Sequence, residues 1–145
     1  MVTEIRHTGI VVDDLDEWIN YFVHILEFKI FKRVDESGSY IDKMLGLVNG
    51  MVTTVKLKAL DGNIVELLKF RSGAESSVDK IENKIYSTGI THMAFTVISI
   101  DNLYSKLRLH GYKFISPPVI TQDNFAKVAF CIGPGGVYFE FVEIL

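Results

Sequence analysis

The sequence predicts an α+β fold made of two tandem β-α-β-β-β modules. Three observations carry that prediction: a His-headed strand phrase that occurs twice, an amphipathic helical stretch after each occurrence, and a glycine-turn hairpin bearing one Glu at the end of each half. The segments His7-Thr-Gly-Ile-Val-Val-Asp-Asp-Leu-Asp16 and His92-Met-Ala-Phe-Thr-Val-Ile-Ser-Ile-Asp101 align from their histidines. Each runs through β-type residues to an acidic or serine stop, after which the apolar spacing changes from that of a strand to that of a helix.

The elements follow in order. Leu15, Trp18, Ile19, Phe22 and Leu26 form one stripe of a first helix, and Asp14 with Glu17 three residues on is a variant capping box at its start. Ile100, Leu103 and Leu107 form the stripe of the second, with Gly111 as its C-terminal stop. A related phrase, Phe28-Lys-Ile and Tyr112-Lys-Phe, follows each helix as a strand. Met51 to Lys58 and Lys127 to Ile132 are the next strands. Each leads through a Gly turn into a matching strand, Asp61-Gly-Asn-Ile-Val-Glu-Leu-Leu68 and Gly135-Gly-Val-Tyr-Phe-Glu-Phe-Val142. Module one thus spans residues 1–70, a linker 71–90 and module two 91–145, all within a single domain. Val78, Ile81 and Ile85 predict a short helix inside the linker. The segment 35–50, with Tyr40, Ile41, Met44, Leu45 and Leu47, reads either as a lid or pocket wall, or as a satellite core patch or subunit contact.

Composition sets the outer limits. With 145 residues, 48% hydrophobic and 23% charged, the chain is globular and large enough for a core without disulfides. Its single cysteine, Cys131, can form none internally, and no apolar leader follows Met1, so a reducing, cytoplasmic location is expected. No apolar run approaches the ~20 residues of a membrane helix. A net charge of −3 and scattered lysines and arginines argue against nucleic acid as a partner. The partner expected is a small-molecule substrate.

Strand parity then isolates four residues. Side chains alternate between faces, so Phe139 and Phe141 share the helix-packed face while Tyr138, Glu140 and Val142 take the other. Val65 and Leu67 oppose Ile64, Glu66 and Leu68; Met93, Phe95 and Val97 oppose His92, Ala94 and Thr96; Thr8, Ile10 and Val12 oppose His7, Gly9 and Val11. His7, Glu66, His92 and Glu140 therefore all fall on the face away from the helices, one per strand. Each alone would be an ordinary strand residue. Two imidazoles and two carboxylates at corresponding positions of both halves form a divalent-metal ligand set instead. His24 and His110 sit near helix C-termini, where the helix dipole suits them. Cys131 reads as an inert core residue, and Gly133-Pro-Gly-Gly is a hairpin turn rather than a phosphate cradle.

These phrases resemble the vicinal oxygen chelate superfamily, which includes glyoxalase I, methylmalonyl-CoA epimerase, fosfomycin-resistance proteins, extradiol dioxygenases and bleomycin-binding proteins. The resemblance runs from His7 to Glu143 through His-Thr-Gly-Ile-Val-Val, Asp-Gly-Asn-Ile-Val-Glu-Leu, Ile-Thr-His-Met-Ala-Phe and Val-Tyr-Phe-Glu-Phe-Val-Glu. It implies a cupped mixed sheet with helices on its outer face, a homodimer, and one metal (Zn, Ni, Co or Mn) held by His7, Glu66, His92 and Glu140. A ligand set with a second carboxylate resembles the isomerase and glyoxalase branch more than the two-His, one-carboxylate oxygenases. In that branch a metal polarises a carbonyl or enediolate oxygen while a carboxylate moves a proton on the adjacent carbon. The resemblance thus implies a glyoxalase I-like lyase or methylmalonyl-CoA epimerase-like isomerase. Glu140 or Glu66 would be ligand and base, with Glu140 favoured for the enclosure that Tyr138 and Val142 would give it. The alternatives are a binding or antibiotic-resistance protein acting by sequestration or thiol transfer, and a ring-cleaving dioxygenase. Between epimerase and glyoxalase the markers conflict: epimerases often carry Gln at the place of Glu66, whereas Ser77-Val-Asp-Lys-Ile-Glu is epimerase-like.

Overall fold

A computed structural model describes residues 1–74 and 84–145. The chain is α+β and divides into two compact units, Met1–Asp79 and Lys80–Leu145. The first holds β1 (Thr8–Val11), β2 (Lys29–Ser37), β3 (Met51–Lys58) and β4 (Ile64–Ser72), in the spatial order β1-β4-β3-β2. β1 runs parallel to β4, and the other neighbours are antiparallel.

Helix α1 (Leu15–Ile19) starts where the Asp14 carboxylate accepts the backbone N–H groups of Asp16 and Glu17 at 3.1 and 3.0 Å, satisfying two donors that a helix start leaves unpaired. It continues as a π-helical segment, Asn20–Ile25, closed by the Leu26 N–H on the Tyr21 carbonyl five residues back. The wider turn moves the stripe. Tyr21 and Ile25 join Leu15, Trp18 and Phe22 in the core, whereas Ile19 and Leu26, which a 3.6-residue period placed there, are only half-buried. Phe22 is the centre of an aromatic cluster, stacked on Trp18 and edge-on to Tyr21 and Phe28.

The segment 35–50 is not a loop. It completes β2, forms helix α2 (Ser39–Leu45) and is tied down beyond it. The Asp42 carboxylate accepts the N–H groups of Asn49 (3.1 Å) and Gly50 (2.7 Å), and Ser72 Oγ donates to the Asn49 carbonyl. Gly73, at φ 80°, packs so closely that a Cβ there would lie 2.5 Å from the Gly50 Cα. Ile41 is buried, which makes α2 a satellite patch of core. The β3–β4 turn is set by Asp61, whose carboxylate accepts the Asn63 backbone N–H at 2.9 Å and its amide at 2.7 Å. Those bonds, the backbone one first, hold the Asp61 carboxyl below its ordinary range.

The second unit holds β5 (His92–Thr96), α3 (Ile100–Leu109), β6 (Lys113–Phe114), β7 (Val119–Ile120), β8 (Ala126–Ile132) and β9 (Tyr138–Ile144). The order is β5-β9-β8-β6, with β7 also on β8, and β5 runs parallel to β9. The single strand expected after the helix is split in two, because Ser116-Pro117-Pro118 intervenes and proline has no N–H for the ladder. α3 begins with the Ile100 N–H donated to Glu143 Oε2 at 2.9 Å, and it stops at Gly111, φ 88°. His110 Nδ1 lies 2.8 Å from the Lys106 carbonyl, a helix-end role.

In both units the helix covers one face of the sheet. Val55, Leu57, Val65 and Leu67 are buried on that face in the first; Ala129, Cys131, Phe139 and Phe141 in the second. Val78 and Ile81 of the expected linker helix lie outside the described residues, and Ile85 stands in a turn. Among the described residues no helix is long and apolar enough to cross a membrane.

Candidate functional site

The face opposite the helices carries the four candidate residues, and the strand register shows why. Gly9 of β1 pairs with Glu66 of β4, and Glu66 pairs in turn with Lys56 of β3. In the second unit Ala94 pairs with Glu140, and Glu140 with Phe130. Paired residues share a face of the pleat, so each Glu stands with the position two residues after its histidine. His7 Nε2 is 3.2 Å from Glu66 Oε2. His92 Nε2 is 3.3 Å from Glu140 Oε2. The same His–Glu pair, atom for atom, is thus built once in each unit.

The surroundings of the pairs differ. Thr91 Oγ1 lies 2.9 Å from His92 Nδ1, and the Phe130 ring stands edge-on to the imidazole at 5.2 Å. Both contacts orient the ring with Nε2 toward Glu140. In the first unit Lys56 Nζ is 3.3 Å from Glu66 Oε1, so both oxygens of that carboxylate are engaged. Glu66 is also the more enclosed side chain, 12% exposed against 23% for Glu140. This reverses the expectation from Tyr138 and Val142: both glutamates stand on strands flanked on both sides, and Glu66 has the Lys56 ammonium beside it in addition to its histidine.

Sequence reasoning missed Lys56. The signal was available: residues equally distant from the Asp61 turn pair across a hairpin, which sets Lys56 opposite Glu66.

Chemically, imidazole Nε2 and carboxylate Oε2 are the lone-pair donors that Zn²⁺, Ni²⁺, Co²⁺ and Mn²⁺ accept. Two such pairs match a two-His, two-Glu donor set in type. Among the described residues no group of three or more His, Cys, Asp and Glu side chains gathers, so each pair is described by itself. Among the described residues, Lys56 is a neighbour that a cation site would not call for.

Residues 4–141 match the model of the glyoxalase/bleomycin resistance protein/dioxygenase superfamily. The chain belongs to this superfamily. A Bacillus subtilis relative, the uncharacterized protein YwbC, is 26% identical over 144 residues, covering 99% of each chain. A glyoxalase family protein from Bacillus cereus superposes with a TM-score of 0.90 at 23% identity, over 100% of this chain and 96% of that one. FosX, the fosfomycin resistance protein of Listeria monocytogenes solved with Mn(II) and sulfate, gives 0.66 at 12% identity over 100% and 95%. At these identities the likeness to solved structures is one of fold.

Proposed function

We propose that this superfamily member is a divalent-metal-dependent isomerase or lyase, glyoxalase I-like or methylmalonyl-CoA epimerase-like, that moves a proton on the carbon next to a carbonyl. The observation that carries the reading is the duplicated His–Glu pair, with Nε2 facing Oε2 in both units. His7, Glu66, His92 and Glu140 would hold one Zn²⁺, Ni²⁺, Co²⁺ or Mn²⁺ per chain. Once bound, the ion would polarise a substrate oxygen and stabilise the negative charge that develops on it. The Mn(II) in FosX supports a cation-binding role for this fold.

The protein's own part is proton transfer and orientation. Thr91 and Phe130 fix the His92 ring, and the carboxylate at Glu140 is the proton acceptor. Glu140 suits that role because His92 engages one of its oxygens and no lysine stands beside the other among the described residues. Elemental analysis of the purified protein should find about one divalent ion per chain, the stoichiometry of one site with two His and two Glu ligands. His92→Ala and Glu140→Ala should each remove it. Unchanged metal content in both variants overturns the reading. Deuterium exchange in D₂O across 2-oxoaldehyde hemithioacetals and acyl-CoA thioesters then identifies the carbon acid. Capture of a small molecule without exchange would instead support sequestration.

We propose further that the chain is a homodimer. β2 is a nine-residue edge strand whose Ile30 and Phe31 are exposed, and edges invite pairing. Sedimentation at micromolar concentration should give twice the 16.4 kDa chain mass, and a monomer would overturn the assignment.

A further inference from the structure

The two half-sites match in register and in the paired atoms, at 3.2 and 3.3 Å, and differ in the charge of the residue paired with each glutamate. Where the second unit places Phe130 beside Glu140, the first places Lys56 beside Glu66. The lysine is partly enclosed, 34% exposed, and its ammonium sits 3.3 Å from Glu66 Oε1. Phe130 gives His92 a ring edge and no charge.

A fixed cation at that distance does two things to a carboxylate. It takes up one oxygen, and it repels any second cation that approaches the other. The repulsion is largest for a divalent ion and is weakly screened where the pair is enclosed. Among the described residues no lysine or arginine places either burden on Glu140. We propose that Lys56 is a positioning residue that weakens Glu66 as a metal donor. Glu140 then carries the larger share of metal affinity, and Glu66 the smaller. This rests on the metal reading above, and it adds a division of labour between the two glutamates that their matching positions alone would not produce.

The test is a competition titration of Zn²⁺ and Ni²⁺ against a chromophoric chelator, which reads affinity directly without a substrate. Wild type is compared with Lys56→Met, Lys56→Arg, Glu66→Gln, Glu140→Gln and the double variants of each Gln with Lys56→Met. Met keeps the apolar stem that packs in the sheet and removes only the charge. Lys56→Met should tighten binding by on the order of tenfold or more, the scale of one charge at this range near a protein surface. Lys56→Arg, which keeps the charge, should stay near wild type. Glu140→Gln should cost at least about tenfold more affinity than Glu66→Gln in the wild-type background, and the two costs should converge once Lys56 is Met. Metal binding that responds to His92→Ala but not to Lys56→Met overturns the role of Lys56 and leaves the metal site standing. Equal costs for the two Gln variants in the wild-type background overturn it too. No uptake by any variant overturns the metal reading and this inference together. Far-UV circular dichroism on every variant identifies a misfolded one, and for that position the Lys56→Arg comparison decides.

Discussion

Glu140→Gln should lower proton exchange next to the substrate carbonyl by at least ~10²-fold, the scale of one acid–base catalyst. The rate is measured at metal concentrations that saturate the variant, so that a weaker ligand is not mistaken for a lost base. Gln keeps the shape and hydrogen-bonding reach of Glu but cannot take up a proton. Glu66→Gln should cost less, because both Glu66 oxygens already have partners, His7 at 3.2 Å and Lys56 at 3.3 Å. The ratio of the two losses is the informative quantity. Full exchange in both variants would mean that neither glutamate is the base and that a third group does the chemistry.

Phe22→Ala should destabilise the fold by about 3–5 kcal/mol, the usual cost of emptying a buried phenylalanine site. Phe22 is fully buried and sits between three aromatic rings: Trp18 at 6.2 Å, Tyr21 at 5.6 Å and Phe28 at 5.1 Å between centroids. Those neighbours belong to the π-helical turn and the residues flanking it, which limits how far the hole can close. Urea unfolding followed by tryptophan fluorescence reports on it directly, because Trp18 is the chain's one tryptophan. A loss below about 1 kcal/mol would show that the cluster re-packs around the deletion. Leu60→Ala is a useful control: Leu60 is almost fully exposed, and its replacement should change stability by no more than about 0.5 kcal/mol.

Parity was the strongest guide from sequence to site. A strand has a period of two, so one buried Phe139 or Leu67 places Glu140 or Glu66 on the opposite face without further information. The same rule separated Met93 and Phe95, half-buried, from the exposed His92 and Ala94. Helix periodicity was less reliable. Tyr21 and Ile25 could not be placed because one extra residue per turn, invisible in the apolar pattern, rotates everything after Ile19. Segment 35–50 looked like a loop because its apolar residues lie between Gly38 and Gly50, yet the Asp42 carboxylate closes α2 onto Asn49 and Gly50 through a contact seven and eight residues away. Lys56 escaped for a different reason. A lone charged residue on a strand is ordinary, and only its register opposite Glu66 gives it meaning.

The parallel pairing of first and last strands has a consequence for when, during synthesis and folding, the site comes into being. β1 meets β4, and β5 meets β9, only after everything between them has been made and packed. These are the pairings of greatest sequence separation in each sheet, and loop-closure entropy must be met before they stabilise anything. His7 therefore waits for Glu66, and His92 for Glu140, while the hairpins β3–β4 and β8–β9 can form early from local contacts. A metal offered to a nascent chain would meet isolated histidines rather than a finished pair, so any loading of the proposed site would come at the end of folding. A chain interrupted before Tyr138 would lack β9 altogether, and with it both Glu140 and the strand against which β5 aligns His92.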